Sequence, residues 1–301
     1  MHDDSGSGAA EKHSWPAAWA LVGVTLVWGT TFVVNANVLG REPPLAYLAA
    51  RFAMAAVILL VATLGRQPTP GLWRDSAGMG VLLALGMGAQ IIGQTETSAS
   101  KTAFITGLSV VLTPLVGLVL TRRLPSRSSA AGVVLATAGF ALLSWPSGGG
   151  GVNRGDLMVL ACAVFFAVYI FENASLSPRH DALLYTARQM IFSAAALGAG
   201  SAWLRLAAPR LAITAFEARP LSFDRAFVIA IAYMTLFATI LTFAVQNWAQ
   251  ARISATKAAI IFALEPVWAA IFAAILLGER LGVRGYGGGA LVIAGIIVSE
   301  L

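Results

Sequence analysis

Charged residues are scarce in this 301-residue sequence. Asp, Glu, Lys and Arg together make up 11% of the chain, whereas hydrophobic residues make up 58%, and the mean hydropathy is +0.78. A soluble domain carries roughly 25% charged residues, because these side chains keep its surface in contact with water. The composition therefore excludes an ordinary soluble domain and indicates an integral membrane protein.

Cysteine and histidine are almost absent too. The single cysteine, Cys162, cannot form a disulfide within the chain, and none of the three histidines lies in a long apolar run. We therefore expect neither a metal site nor a Ser-His-Asp centre, which makes a membrane-embedded enzyme the less favoured alternative.

Motifs for other partners are missing as well. The sequence contains no Walker-type phosphate loop, so we expect no ATP and no other cofactor. The net charge is +6, but no basic cluster alternates with aromatic residues, so we expect no nucleic-acid partner. The partners that remain are the lipid bilayer and a small-molecule substrate, and the sequence leaves the oligomeric state open.

Long apolar runs fill the rest of the chain. They are continuous rather than alternating, which favours transmembrane helices over a barrel. The sequence thus predicts an all-α membrane bundle of ten transmembrane helices after a disordered N-terminal tail over residues 1–16. The predicted spans are 17–39, 45–65, 76–95, 102–121, 128–145, 157–173, 182–204, 226–250, 258–278 and 285–299.

An internal repeat divides the chain into two halves, 17–150 and 151–301. The segment that starts at Ser98 recurs at Ser254, an offset of 156 residues, and the same offset pairs Gln90 with Gln246 and Gln94 with Gln250. Apolar composition alone does not place glutamines in register. Each half holds five helices, and five is odd, so the repeats are expected to be inverted in the membrane. A weaker echo pairs Tyr47 and Arg51 with Tyr185 and Arg188.

The distribution of Lys and Arg predicts the orientation. With the N-terminus inside, the first half places most of its basic residues on the cytoplasmic side, whereas the second half shows the reverse bias. Because the first helices usually dominate orientation, we expect both termini to be cytoplasmic.

Several motifs resemble those of a known family. The Trp28–Phe32 segment (WGTTF), the Arg51-Phe52 pair and the LEP and LGERL segments that begin at Leu264 and Leu277 are similar to motifs of EamA-type transporters, of the drug/metabolite transporter (DMT) superfamily. One departure is that the first half reads LTRRL from Leu120, where the family has Gly-Glu-Arg.

The resemblance implies a ten-helix inverted-repeat bundle around a central cavity, in a bacterial-type inner membrane. It implies a secondary-active or facilitative exporter of small metabolites that works by alternating access. The subgroup it resembles most comprises amino-acid exporters, including the aromatic amino-acid exporters of the YddG type. Multidrug efflux and nucleotide-sugar or phosphate antiport are alternatives on the same fold, and a channel is less favoured because it would need a pore filter.

Polar and aromatic residues inside the spans are the candidates for substrate binding. Polar groups are costly in lipid and therefore often functional, although interhelical hydrogen bonding or snorkelling would also explain them. An Arg can bind a carboxylate, a Glu an amine or a proton, and aromatic rings can stack on an apolar substrate. The candidates are Trp28, Phe32, Arg51, Gln90, Gln94, Tyr169, Phe243, Gln246, Trp248 and Glu265.

Four further residues are candidates for gating or hinge positions. Lys101 and Lys257 begin equivalent spans in the two halves, either as gates or as interfacial anchors. Pro266 is expected to kink its helix next to Glu265, because proline lacks the backbone donor. Pro114 is the corresponding proline of the first half, four positions away from the place that the repeat assigns to it.

Overall fold

The computed structural model describes residues 14–97, 99–122, 124–144, 153–207, 216–277 and 283–300. These residues form ten helices, as predicted, in a membrane bundle. The first half contains α1 (Ser14–Leu39), α2 (Pro44–Ala62), α3 (Leu72–Gln94), α4 in two parts, α4a (Ala99–Gly107) and α4b (Ser109–Thr121), and α5 (Arg127–Ser144). The second half contains α6 (Arg154–Leu176), α7 (Ala182–Ala207), α8 (Arg225–Gln250), α9a (Ala255–Phe262) with α9b (Glu265–Leu277), and α10 (Val283–Glu300).

Six of these helices, α1, α2, α3, α4, α6 and α8, have the length and apolar composition of membrane spans, and α10 contains a shorter apolar run, Gly287–Val298. The first helix begins at Ser14, three residues before the predicted start. Residues 1–13 of the predicted tail and the predicted flexible joint at 146–151 lie outside the described residues.

Local sequence signals fix several helix starts. Asn153 accepts a hydrogen bond from the Asp156 backbone while Asp156 accepts one from the Asn153 backbone, which is a complete capping box at the start of α6. Asp224 and Ser254 cap α8 and α9a with a single hydrogen bond each, in which the side-chain oxygen accepts from the backbone N–H three residues later. Pro43 and Pro44 begin α2, where the missing backbone donors cost nothing.

Two of the predicted helices are interrupted, which corrects their description as continuous spans. The helix α4 is broken at Leu108, and α9 is broken at Ala263 and Leu264. An offset of 156 residues relates Leu108 to Leu264, so the two interruptions lie at the same place in the repeat.

A proline lies in the first turn after the interruption in α9 but not after the one in α4. Pro266 has no backbone N–H to donate to the carbonyl four residues earlier, and that residue is Phe262, the last of α9a. In the first half Val110 occupies the corresponding position, while Pro114 lies inside the continuous helix α4b. Since both helices break at equivalent positions, the shared architecture and not a proline sets the break in α4.

The helices pack with an approximate two-fold symmetry between the halves. Helix α3 packs on α6, as α8 packs on α1, and α4 packs on α6, as α9 packs on α1. The pairs α2–α7 and α5–α10 join equivalent helices directly. A space lies between the two halves, enclosed by α1, α3, α4, α6, α8 and α9.

Glycines allow α5 and α10 to touch along their backbones. A methyl group added at Gly139 would lie 2.5 Å from the Gly288 carbonyl oxygen, and one added at Gly295 would lie 2.7 Å from the Gly132 carbonyl oxygen. The two contacts are related by the offset of 156 residues. Position 139 meets the beginning of α10 and position 295 meets the beginning of α5, so the two helices run antiparallel.

We predict that Gly139→Ala destabilises the protein, because the added methyl group meets backbone atoms that cannot rotate away. Overpacking of this kind costs about 1–3 kcal/mol. Thermal unfolding in detergent should show a lower midpoint for this variant. Gly198→Ala is the matched control, since nothing lies within 4 Å of a methyl group there. Equal midpoints for the two variants would contradict the described α5–α10 contact.

Candidate functional site

A central cavity lies between the two halves. In this conformation its volume is about 60 Å³, which is room for a few waters. Its wall is formed by Trp28, Thr31, Asn35, Arg51, Leu83, Met87, Gln90, Thr106, Gly107, Ser109, Phe166, Tyr169, Ile170, Phe243, Gln246, Phe262 and Glu265.

The repeat organises this wall. In the part formed by α3, α4, α8 and α9, the offset of 156 residues pairs lining residues with one another. The pairs are Met87 with Phe243, Gln90 with Gln246, Thr106 with Phe262, and Ser109 with Glu265. The cavity therefore lies on the approximate two-fold axis, and both helix interruptions border it.

A second offset relates α1 and α2 to α6 and α7. Tyr47 and Tyr185 lie 138 residues apart in the sequence, and the same offset pairs Asn35 with Asn173. It assigns Gln189, and not Arg188, to the position of Arg51. Arg188 lies 4.4 Å over the Trp73 ring, away from the cavity wall. The suggested Arg51–Arg188 pairing is thus off by one residue.

The guanidinium of Arg51 is the positive group of the cavity. The side chain is 1% exposed, its Nε donates to Thr239 Oγ1 at 2.6 Å, and its Nη2 donates to the Ala238 carbonyl oxygen at 3.0 Å. No carboxylate within 4 Å balances its charge among the described residues. A buried Arg without a carboxylate partner can bind an anionic group of a ligand.

The carboxylate of Glu265 is the negative group. It lies in the first turn of α9b, directly after the interruption, and lines the same cavity. In the described part of the chain we see neither an ion pair nor a hydrogen bond to this carboxylate. Its repeat counterpart is Ser109 and the counterpart of Arg51 is Gln189, so both charges break the symmetry of the cavity.

Two amides complete the polar wall. Gln90 donates to Thr106 Oγ1 at 3.0 Å, and Gln246 donates to Gln250 Oε1 at 3.0 Å. The Oε1 atom of Gln246 is buried and has no hydrogen-bond partner among the described residues. A buried acceptor without a donor is costly, and a ligand N–H group could satisfy it.

Aromatic rings form the apolar wall. Trp28 lies 5.6 Å from Phe243 and 5.4 Å from Phe262, and Tyr169 lies 6.5 Å from Phe243, measured between ring centroids. Hydrogen bonds hold two of the rings, since Trp28 Nε1 donates to Thr242 and the Tyr169 hydroxyl donates to Gln189. The rings are therefore oriented before any ligand enters.

Three of the ten candidates lie outside the cavity wall. Gln94 donates to the backbone carbonyl of Phe32 at 3.1 Å, so these two residues join α3 to α1. Its repeat counterpart Gln250 donates to the Ile170 carbonyl oxygen in the same way. Trp248 packs under Arg252, whose Cζ lies 4.4 Å from its ring centroid. The other seven candidates line the cavity.

The predicted gating lysines differ in their surroundings. Lys101 Nζ lies 2.5 Å from Asp156 Oδ2, which joins α4a of one half to α6 of the other. Asp156 also accepts from Thr97 and from the Asn153 backbone. The Lys257 backbone N–H donates to the capping Ser254 side chain at the start of α9a.

Sequence reasoning missed several lining residues. Thr106 and Ser109 are the repeat counterparts of Phe262 and Glu265, so the offset of 156 residues would have found Ser109 from Glu265. Thr31 and Asn35 are polar positions of a membrane span, which is the signal by which Gln90 was selected. Phe166 and Phe262 carry no comparable signal, because single aromatic residues occur throughout membrane helices.

We predict that Ser109→Cys, in a Cys162→Ala background, reacts with a small water-soluble thiol reagent through the cavity. Thr113→Cys is the matched control, because Thr113 is 0% exposed, lies about one turn further along α4b and does not line the cavity. Labelling can be followed by mass spectrometry of the intact protein. Equal labelling rates at both positions would contradict the described cavity wall.

Comparisons with known proteins agree with this fold. A crystal structure of a protein of 18% sequence identity superimposes with a TM-score of 0.75 over 95% of this chain and 98% of that one, which shows the fold. An uncharacterized transporter of Archaeoglobus fulgidus is 30% identical over 92% of this chain and 83% of its own length. A probable terminal-alkyne amino-acid exporter of Streptantibioticus cattleyicolor is 26% identical over 94% of this chain and 92% of its own length.

The family comparison covers nearly the whole chain. The model of the EamA-like transporter family matches twice, over residues 15–145 and 153–301, which suggests duplicated halves. The protein is therefore a multi-pass membrane transporter and not an enzyme. The chain belongs to the EamA-like transporter family.

Proposed function

We propose that this transporter exports amino acids, with a preference for apolar or aromatic side chains, by alternating access. The observation that carries the proposal is the pair of opposite charges in one cavity. Arg51 and Glu265 both line it, and their repeat counterparts, Gln189 and Ser109, are neutral. A zwitterion in this cavity has one orientation in which both of its charges are paired.

The carboxylate of the substrate binds Arg51 in this proposal. An Arg is always charged and presents its N–H groups in a planar fork that matches a carboxylate. A charged group in the middle of a membrane helix costs about 2.5–3.5 kcal/mol on insertion scales. A functional role would explain why this cost is tolerated.

The ammonium group of the substrate binds Glu265, with the free Gln246 oxygen as a second acceptor. Both residues line the cavity. Glu265 could alternatively exchange a proton during the cycle, since a carboxyl group in water contact can be protonated or ionised. Either role makes its charge necessary for transport.

The side chain of the substrate packs on the aromatic wall of Trp28, Tyr169, Phe243 and Phe262. Ring pairs contribute about 0.5–1.5 kcal/mol beyond their buried area, which supports a preference for apolar or aromatic amino acids. The probable terminal-alkyne amino-acid exporter of Streptantibioticus cattleyicolor, a distant relative, supports this substrate class and the outward direction.

Two alternatives fit the cavity less well. A hydrophobic drug cation would suit the aromatic wall and Glu265, but it would leave Arg51 unpaired. A nucleotide sugar or phosphate needs several positive groups, whereas Arg51 is the only Lys or Arg in the described cavity wall.

Alternating access is the mechanism that we propose for two inverted halves. The antiparallel contact of α5 and α10 supports the inversion, since these two helices are equivalent in the repeat. In such transporters the halves rock around a midplane site, and interrupted helices border that site. The interruptions in α4 and α9 fit this scheme, and the Lys101–Asp156 pair would close one end of the pathway. We further propose a bacterial-type inner membrane with both termini cytoplasmic.

We predict that Glu265→Gln abolishes amino-acid flux or its pH dependence, because glutamine has a similar shape but cannot ionise. Flux is measured in proteoliposomes between about pH 5.5 and 8.5, so that any pH dependence of transport is recorded for both proteins. Glu172→Gln is the matched control, since Glu172 lies near the end of α6 and outside the cavity wall. Wild-type flux with an unchanged pH profile in Glu265→Gln would refute the role of Glu265.

We also predict that the loop between α4 and α5 faces the cytoplasm. Leu124 is 80% exposed, so Leu124→Cys in a Cys162→Ala background should react with a membrane-impermeant thiol reagent only after the cells are opened. Labelling of intact cells would reverse the proposed orientation.

A further inference from the structure

Helix α8 contains a π-helical segment, Leu236–Leu241, between two α-helical parts. A π turn inserts an extra residue, shifts the hydrogen bonds from i+4 to i+5, and occurs frequently at functional sites. The side chain of Thr239 takes part in this irregularity, because its hydroxyl donates to the carbonyl of Met234, five residues earlier, at 2.9 Å.

Two groups of this segment hold Arg51. The oxygen of Thr239 accepts from Nε, and the Ala238 carbonyl accepts from Nη2. Thr239 and Ala238 are both 0% exposed. The Tyr47 hydroxyl also interacts with the guanidinium. Arg51 still lines the cavity, where its guanidinium can meet a ligand.

The repeat counterpart of α8 lacks the irregularity. Helix α3 is a continuous α-helix over Leu72–Gln94. It packs on α7, which carries Gln189, the counterpart of Arg51. Gln189 accepts from the Tyr169 hydroxyl at 2.9 Å instead. Of the two equivalent helices, α8 has the π segment, and α8 is the helix that contacts the arginine.

We propose that Thr239 and the π segment around it position the Arg51 guanidinium for the carboxylate of the substrate. Thr239 is a positioning residue in this scheme, because it acts through Arg51 and does not line the cavity itself. The hydroxyl of Thr239 fixes Nε, the Ala238 carbonyl fixes Nη2, and the fork can then bind a carboxylate without first losing its own rotational freedom. This inference rests on the proposed amino-acid substrate.

The test compares three variants of the full-length protein in proteoliposomes. Thr239→Val keeps the shape but removes the hydroxyl, and Thr239→Ser keeps the hydroxyl. Thr235→Val is the matched control on the same helix, because Thr235 is also 0% exposed and its hydroxyl oxygen has no partner among the described residues. The substrates are phenylalanine and phenylalanine amide, which lacks the carboxylate.

We expect Thr239→Val to raise the KM for phenylalanine about tenfold, equivalent to about 1.4 kcal/mol, with kcat and the KM for the amide unchanged. Thr239→Ser and Thr235→Val should keep the wild-type KM. An equal loss for both substrates, or no loss, would overturn the proposal. If Thr239→Val does not fold, Thr239→Ser decides the question. A changed KM for phenylalanine in Thr239→Ser would also contradict the proposal.

A second measurement separates this inference from the proposed function. Phenylglyoxal modifies accessible arginines, and peptide mapping can follow the adduct on Arg51 without any substrate. Faster modification of Arg51 in Thr239→Val, with the wild-type rate in Thr239→Ser, would support the positioning role even if the wild type transports no amino acid. Equal rates in all variants would refute the positioning role while leaving the amino-acid substrate standing.

Discussion

The need to satisfy backbone hydrogen bonds inside a bilayer governs the whole structure. Hydrocarbon offers no donors or acceptors, so an interrupted helix survives at membrane depth only where protein or a water-filled cavity surrounds the interruption. The breaks in α4 and α9 meet this condition, because Gly107 and Ser109 on one side and Phe262 and Glu265 on the other all line the central cavity. The two breaks and the cavity therefore depend on each other.

Duplication explains the shape of the site, and divergence explains its chemistry. Equivalent pairs such as Gln90 with Gln246 give the cavity two similar sides. Arg51 and Glu265 have neutral counterparts, so the two sides differ in charge. The π segment of α8 adds a backbone asymmetry at the place where Arg51 is held. One half thus supplies the positive group and the other the negative group.

The sequence predicts the helices and the repeat better than the details of the site. Continuous apolar runs identify ten helices, and two of the four glutamines in register, Gln90 and Gln246, line the cavity. Spacing cannot tell Gln90 from Gln94, because both lie on one face of α3, and only the tertiary structure brings the Phe32 carbonyl within reach of Gln94. The break in α4 has no proline at the position of Pro266, and the π segment has no known sequence signature, so neither could be predicted.

The most direct test replaces each charged residue with the residue found at its repeat-related position. The two sides of the cavity then become alike. Uptake of a labelled amino acid is competed in proteoliposomes by the unlabelled amino acid, its amide and its N-acetyl derivative, for the wild type, Arg51→Gln and Glu265→Ser. We expect the wild type to prefer the free amino acid by about tenfold or more, Arg51→Gln to lose the discrimination against the amide, and Glu265→Ser to lose it against the N-acetyl derivative. Wild-type discrimination in both variants would contradict a cavity that recognises a zwitterion through these two charges.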